Sequence, residues 1–165
     1  MSFLPGFDLR FTESSDLEPL KKWFEPEGSF DDYPFDASES EEALKNWIGF
    51  CKYKASLTAT LDGVPCAVGT LFLMPYRKVA HHCSFFLMVD PSHRRKGIGT
   101  SMVRNLLHLA RTRFKLESLH VEVYEPSHLL PILEKLQFKL FARQEDYMRI
   151  QDCPRARILM EHFFL

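Results

Sequence analysis

The sequence predicts an α/β fold: one mixed, mostly antiparallel sheet of about seven strands with helices on both faces, in a single domain over residues 1–165. Three observations carry this. Runs with a two-residue hydropathy period alternate with runs of helical period. An Asp62-Gly63 pair between β-rich runs marks a two-residue hairpin turn. The order of elements is strand, two helices, three strands, helix, strand, helix and two strands, which calls for a mixed sheet covered on both sides.

Each element has a local cause. "FDLRF" alternates apolar and polar residues and gives a first strand, Phe7 to Phe11. Ser15 with Glu18 forms a capping box for a short helix through Phe24. Two prolines and a glycine make "EPEGSFDDYPFDAS" a loop. Ser38 with Glu41 caps a second helix, in which Leu44, Trp47, Ile48 and Cys51 share a face. "ASLTATLDGVPCAVGTLFLM" is the hairpin, and "AHHCSFFLMV" a strand buried on both faces. The next helix sets Ile98, Met102, Leu106 and Leu109 in a stripe, widened by Val103, Leu107 and Ala110. "LESLHVEVY" is a central strand, and "SHLLPILEKL" a helix that Pro131 is expected to kink. "FKLFARQEDYMRI" and "RARILMEHFFL" close the chain as strands.

Composition narrows the function. With 45% hydrophobic residues, 165 residues suffice for a buried core. Lys+Arg 21 against Asp+Glu 22 leaves a net charge of -1, so a nucleic-acid partner is not expected and any cationic site is local. Cys51, Cys66, Cys83 and Cys153 are scattered without metal-ligand spacing, which predicts reduced thiols and no metal site. "MSFLPGFDLRF" lacks the pattern of a signal peptide, and no stretch is long enough to span a bilayer. A cytoplasmic protein without a membrane partner is therefore expected.

The segment "VDPSHRRKGIGTSMVRNLLHLARTR" is the most informative. A strand stops at Pro91, Arg94, Arg95 and Lys96 stand before Gly97 and Gly99, and a helix starts at once. A helix N-terminus offers unpaired N–H groups and partial positive charge. Glycines let an anion approach the backbone closely. The combination suits a pyrophosphate. It is neither a Walker loop nor the G-x-G-x-x-G of dinucleotide sites, since Met102 stands where the third glycine belongs.

Val89-Asp90-Pro91 followed by Arg94-Arg95-Lys96-Gly97-Ile98-Gly99 resembles the V-x-P-x-x-R/Q-x-x-G-x-G/A signature of the GNAT superfamily of N-acetyltransferases, and the element order is similar throughout. "TESSDLEPLKKWF" and "EEALKNWI" resemble the opening helices of the branch that acetylates ribosomal-protein N-termini and similar amines. The resemblance implies acetyl-CoA as acyl donor and an amine, small or at a peptide or protein N-terminus, as acceptor. Leu87, Met88 and Val89 would then pair with the pantetheine arm through backbone groups. Arg94, Arg95, Lys96, Gly97, Ile98, Gly99, Thr100 and Ser101 would surround the pyrophosphate, and the position that the family often gives to Asn falls at Pro126 or at Ser127, the latter a further candidate for holding the cofactor.

Acetyl transfer needs an uncharged amine, a polarised thioester carbonyl and a departing thiolate. In the resembling N-terminal acetyltransferases, a Glu at the strand position of Glu122 accepts the proton; pairing with a structural cation is the alternative role here. The family's thiolate-protonating Tyr is replaced by Leu133, and Gln137 replaces its usual Gly. An alkyl thiol has a pKa of about 8.5, so its thiolate leaves tolerably well near neutrality. Tyr124, on the face of Glu122, is the substitute acid, or a packing residue with its hydroxyl in water. Cys83 raises a ping-pong route, with a buried inert thiol as the alternative. His81 and His82 are expected to be structural. Asp31, Asp32 and Asp36 among Phe30, Tyr33 and Phe35 offer either a cation-binding loop or a solvated cap. A non-catalytic acyl-CoA binding module remains the alternative to an enzyme.

Overall fold

In the computed structural model, which describes residues 4–165, one sheet is built from Phe7–Phe11 (β1), Ser56–Leu61 (β2), Val64–Leu73 (β3), His82–Val89 (β4), Ser118–Tyr124 (β5), Lys139–Ile150 (β6) and Cys153–Phe163 (β7). The α-helices are Leu17–Trp23 (α1), Ser40–Gly49 (α2), Ile98–Thr112 (α3) and Leu129–Lys135 (α4). The strands lie in the order β1-β2-β3-β4-β5-β7-β6. All neighbours are antiparallel except β4 and β5, which are parallel and joined through α3. This is the mixed sheet that the order of elements predicts. Among the described residues, no helix is long and apolar enough to cross a membrane.

Strand alternation sends neighbouring residues to opposite faces. Cys83 and Phe85 of β4, with Leu119, Val121 and Val123 of β5, pack against Val103, Leu106 and Ala110 of α3 and Leu133 of α4. On the opposite face, Val68 and Met88 lie under Leu20, Trp23, Leu44 and Trp47 of α1 and α2. The apolar run of β4 is thus covered on both sides, as its composition implies. The stripe expected on α3 is buried from Ile98 to Ala110, with Leu107 at its margin.

Three local expectations change. The first helix is entered through a 3-10 turn at Ser14–Asp16, where the Glu13 N–H donates to the Asp16 carboxylate, so Ser15 and Glu18 do not form the box. The second starts at Ser40; the Ser38 N–H and hydroxyl both donate to Asp36 instead of capping it. Pro131 falls in the first turn of α4, where a helix needs no N–H donor, so it begins the helix instead of kinking it. The Asp62-Gly63 turn is as expected, with φ of 50° and 81°, both in the left-handed region that such a turn requires.

A buried polar chain ties α1 to the sheet. Asp16, only 2% exposed, accepts from Arg10 Nη1 and Nη2 at 2.8 Å each and from Thr58 Oγ1 at 2.9 Å. Thr58 meets Thr12 at 2.9 Å, and Ser56 joins Thr12 at 2.8 Å and Thr70 at 2.7 Å. Burial works against ionisation of Asp16, but Arg10, the Glu13 N–H and Thr58 outweigh it and hold the carboxyl below its usual range. Its stabilisation is therefore complete above the unfolded-state value of about 4 and is lost as pH falls through the lowered folded value. Asp16→Asn is expected to lower stability by about 2 kcal/mol at neutral pH, the scale of hydrogen bonds to a charged group. Denaturant titration at several pH values checks this: the difference from the wild type should shrink as the solution is acidified below about pH 4.

Candidate active site

The parallel pairing of β4 with β5 is short. It runs from His82 opposite Ser118 to Ser84 opposite His120, and then the strands part. Which backbone groups this frees follows from the other edge of β4. The Asp90 N–H donates to the Cys66 carbonyl at 2.8 Å, so residues opposite Cys66, Val68 and Thr70 of β3 exchange hydrogen bonds with it. Met88 is among them. Leu87 and Val89 therefore turn their N–H and C=O groups away from β3, into the gap beside β5. Met88 departs from the expectation for this strand: its backbone faces β3, and its side chain is buried beneath α1 and α2.

The gap opens into a cavity of about 500 Å³. Leu87, Val89, Arg94, Arg95, Gly97, Ile98, Gly99 and Thr100 form one wall, and Val121, Glu122, Val123 and Ser127 another. Asp90 shapes the turn between strand and loop by accepting from the Ser92 N–H at 3.0 Å and the Ser92 hydroxyl at 2.9 Å. Arg95 and Gly97 have φ of 63° and 82°, and Gly97 ends the loop as the N-cap of α3. Such left-handed residues turn successive N–H groups inward into an anion-binding concavity. Among the described residues, no backbone or side-chain group accepts from the N–H groups of Ile98, Gly99 or Thr100. A Cβ on Gly99 would stand 3.1 Å from Ile132 Cδ1, so the glycine also lets α4 close against α3. Free donors, a free strand edge and a cationic rim fit an acyl-CoA.

Lys96 and Ser101 lie on the other side of this turn. They line a second hollow of about 600 Å³ with Arg104, Asn105 and Lys135, sharing Gly97, Ile98 and Thr100 with the first. Arg104 and Lys135 were not singled out by sequence. Helical spacing puts Arg104 within two turns of Gly97, a signal that was available; Lys135 comes from α4 and carried none.

On the β5 wall, Glu122 is held from two sides. Arg157 Nε and Nη2 donate to its oxygens at 2.6 and 3.1 Å, and the Tyr124 hydroxyl donates at 2.8 Å. The cation-paired alternative for this residue is thus present, and Glu122 still lines the cavity. Tyr124 is only 3% exposed, does not line the cavity and stacks on Tyr147 with centroids 5.9 Å apart. Its hydroxyl is not in water. Burial foremost, then the Glu122 carboxylate, pushes its pKa up. Cys83 is fully buried and its thiol is pushed up to about 12 by desolvation, which removes the nucleophilic thiolate that a ping-pong route requires. Leu133 is buried in the core, so no hydroxyl stands there. The ring of His82 lies 5.3 Å from that of His120, and His82 Nδ1 is buried without a partner among the described residues.

The loop between α1 and α2 closes the front. Phe30, Tyr33 and Phe35 pack on the α1–α2 core, while Asp32 and Tyr33 line the cavity. Tyr33 Oη donates to the Leu87 carbonyl at 2.6 Å. Asp36 is spent on Ser38, outside the cavity. Arg155 ties the loop to the end of β5: it donates to the carbonyls of Asp31, Tyr124, Glu125 and Pro126, and its Nη2 lies 3.5 Å from Asp32 Oδ1. No sequence signal marks Arg155, because its partners lie up to 124 positions away.

Residues 17–130 match the family model described as the acetyltransferase (GNAT) family. No curated protein sequence matches the chain significantly. The fold is similar to a GNAT-family acetyltransferase from Streptococcus pneumoniae, at a TM-score of 0.80 and 18% identity over 96% of this chain and 99% of that one. It is similar to a putative acetyltransferase from Salmonella typhimurium described with its cofactor acetyl-CoA, at 0.78 and 14% over 96% and 94%. A third likeness is the ribosomal-protein-S5-alanine acetyltransferase of Vibrio fischeri, at 0.77 and 12% over 98% and 95%. Identities this low speak for the fold alone, and the family model spans most of the sequence. The chain belongs to the acetyltransferase (GNAT) family.

Proposed function

We propose that the protein moves an acetyl group from acetyl-CoA to a primary amine, of a small molecule or a peptide or protein N-terminus, by direct attack in a ternary complex in the cytoplasm. The observation that carries this is the parting of β4 from β5 beside a turn of unpaired N–H groups. Leu87 and Val89 would pair with the amides of the pantetheine arm as an added strand does. The turn from Arg94 to Thr100 would hold the pyrophosphate, with Ser127 facing it. Lys96, Ser101, Arg104 and Lys135 would meet phosphate on the outer side.

Attack joins the amine nitrogen to the thioester carbon, which makes the nitrogen's proton acidic. A lysine-like amine arrives as an ammonium and cannot attack in that form, so Glu122 would take its first proton before or during attack, directly or through a water, and pass it to solvent; the second leaves the same way once the C–N bond has formed. Arg157 and Tyr124 keep the carboxylate in one orientation, ready to accept. Tyr124 then acts on Glu122 and not on the thiolate. The departing thiolate, with a pKa of about 8.5 in water, leaves without a dedicated tyrosine on α4. Binding of acyl-CoA without turnover is the second reading, favoured by the apolar Leu133 and by the Arg157 pairing of Glu122.

Release of CoA thiol from acetyl-CoA in the presence of a panel of amines and peptide N-termini tests the proposal. Release that depends on an amine is expected; binding without release on any acceptor supports the second reading. Gly97→Val places a β-branched residue at a φ of 82° and should weaken acetyl-CoA binding at least tenfold, about 1.4 kcal/mol. Unchanged affinity by calorimetry in the folded variant removes the pyrophosphate from this turn.

Glu122→Gln keeps shape and removes the proton acceptor. We expect kcat to fall by about 10² to 10⁴, the usual range for a general base, with acetyl-CoA affinity nearly unchanged. Raising the pH should recover part of the loss, because solvent then deprotonates the amine, whose pKa is about 10.4 for a lysine-like group. Wild-type turnover at pH 7 would leave Glu122 a partner of Arg157 only.

A further inference from the structure

Tyr33 joins the acceptor-side loop to the donor-side strand. Its ring is fixed by neighbours, with centroids 5.0 Å from Phe24, 5.7 Å from Phe35 and 5.8 Å from Trp47. A phenylalanine would serve that packing equally well. The hydroxyl reaches the Leu87 carbonyl at 2.6 Å, with Met88 Sδ at 3.3 Å. That carbonyl belongs to the free edge of β4, where an incoming pantetheine amide would donate. The N–H of Leu87 points into the same gap, so a phenol hydrogen and a backbone hydrogen converge there. Two other hydroxyl residues line the cavity. Ser127 Oγ already accepts from the Leu129 N–H at 3.1 Å, and Thr100 sits in the first turn of α3. The Tyr124 hydroxyl is turned to Glu122.

We propose that Tyr33 is a catalytic hydrogen-bond donor: on binding of acetyl-CoA its O–H leaves the Leu87 carbonyl and turns to the thioester carbonyl oxygen. The inference rests on the acetyl-transfer reading above. The ring stays where its neighbours hold it, and rotation about Cζ–Oη is enough. Leu87 exchanges the phenol for an amide of the donor, so no buried carbonyl is left unpaired. As the amine nitrogen bonds to the thioester carbon, the carbonyl electron pair moves to oxygen. Tyr33 and the Leu87 N–H share that charge. The pair then returns, the C–S bond breaks, CoA leaves as thiolate, and the nitrogen's proton goes to Glu122 or water. Tyr33 keeps its own proton throughout. Burial first, then nearby Asp32, pushes the phenol pKa up against the opposing pull of Arg94, so the group stays a neutral donor across the working pH range. Preorganised donors of this kind act strongly because they need not reorient as charge develops.

Tyr33→Phe, with its ring packing intact, is the test. Removing one such donor typically lowers kcat by about 10² to 10³, and a loss of about 10² is expected, with acetyl-CoA affinity within a fewfold of the wild type. An equal kcat in a folded variant overturns the proposal. So does a change confined to the KM for the amine, which a purely structural loop residue would give. Should Tyr33→Phe fail to fold, 3-fluorotyrosine at position 33 replaces it: a more acidic phenol donates more strongly, so kcat should change while affinity holds, and an unchanged kcat overturns the role. Wild-type protein that binds acetyl-CoA yet frees no thiol with any amine overturns the acetyl-transfer reading itself, and this role with it.

Discussion

Ser84 and His120 form the last rung that β4 and β5 share, and the site depends on their parting there. A sheet that stayed closed would pair the N–H and C=O groups of Leu87 and Val89 with β5 and leave nothing for a ligand. The parting leaves them unpaired inside the fold, a costly condition for backbone groups unless something polar meets them. In this structure Tyr33 meets one of them, the Leu87 carbonyl, and a cavity lies in front of the rest. The helix that follows, α3, presents its own unpaired N–H groups at the same end of the gap. Two separate shortages of hydrogen-bond partners thus converge on one ligand-sized space.

The supports of this opening come from far along the chain. Arg155 and Arg157, two residues apart on β7, point to the same neighbourhood and do different work. Arg157 fixes Glu122 and lies 4.7 Å from the Tyr147 ring, while Arg155 gathers four carbonyls from the front loop and the end of β5. Each guanidinium supplies several fixed donors, which suits it to crowded carbonyls that a lysine would satisfy less completely. The α1–α2 loop carries three aromatics that stack on the core, so its position is set by packing as well as by Arg155.

Much of this was legible in sequence because it is local. Asp62-Gly63 dictates its turn, the stripe from Ile98 to Ala110 dictates its face, and Val89 to Gly99 reads as strand end, turn and helix start without help from other segments. The helix starts were less legible. Serines compete for several nearby partners, and here Ser38 bonds to Asp36, while the 3-10 turn moved the start of α1 past Ser15. The long-range pairings were not legible at all. A Glu in an apolar strand says that a partner is needed, but Arg157 lies 35 positions away and two register steps along a neighbouring strand. Nor does the sequence say that Met88 faces β3 while Leu87 and Val89 face the gap, because that parity is set by pairing on the other side.

Parity also offers the most direct measurement of the account. Backbone amide shifts and hydrogen exchange should be followed residue by residue as acetyl-CoA is added to the intact protein. The N–H groups of Leu87, Val89, Ile98, Gly99 and Thr100 should shift and gain protection, while that of Met88, already committed to β3, keeps its exchange rate. Binding that leaves Leu87 and Val89 unprotected, or that protects Met88 in their place, would contradict the claim that the parting of β4 and β5 makes the site.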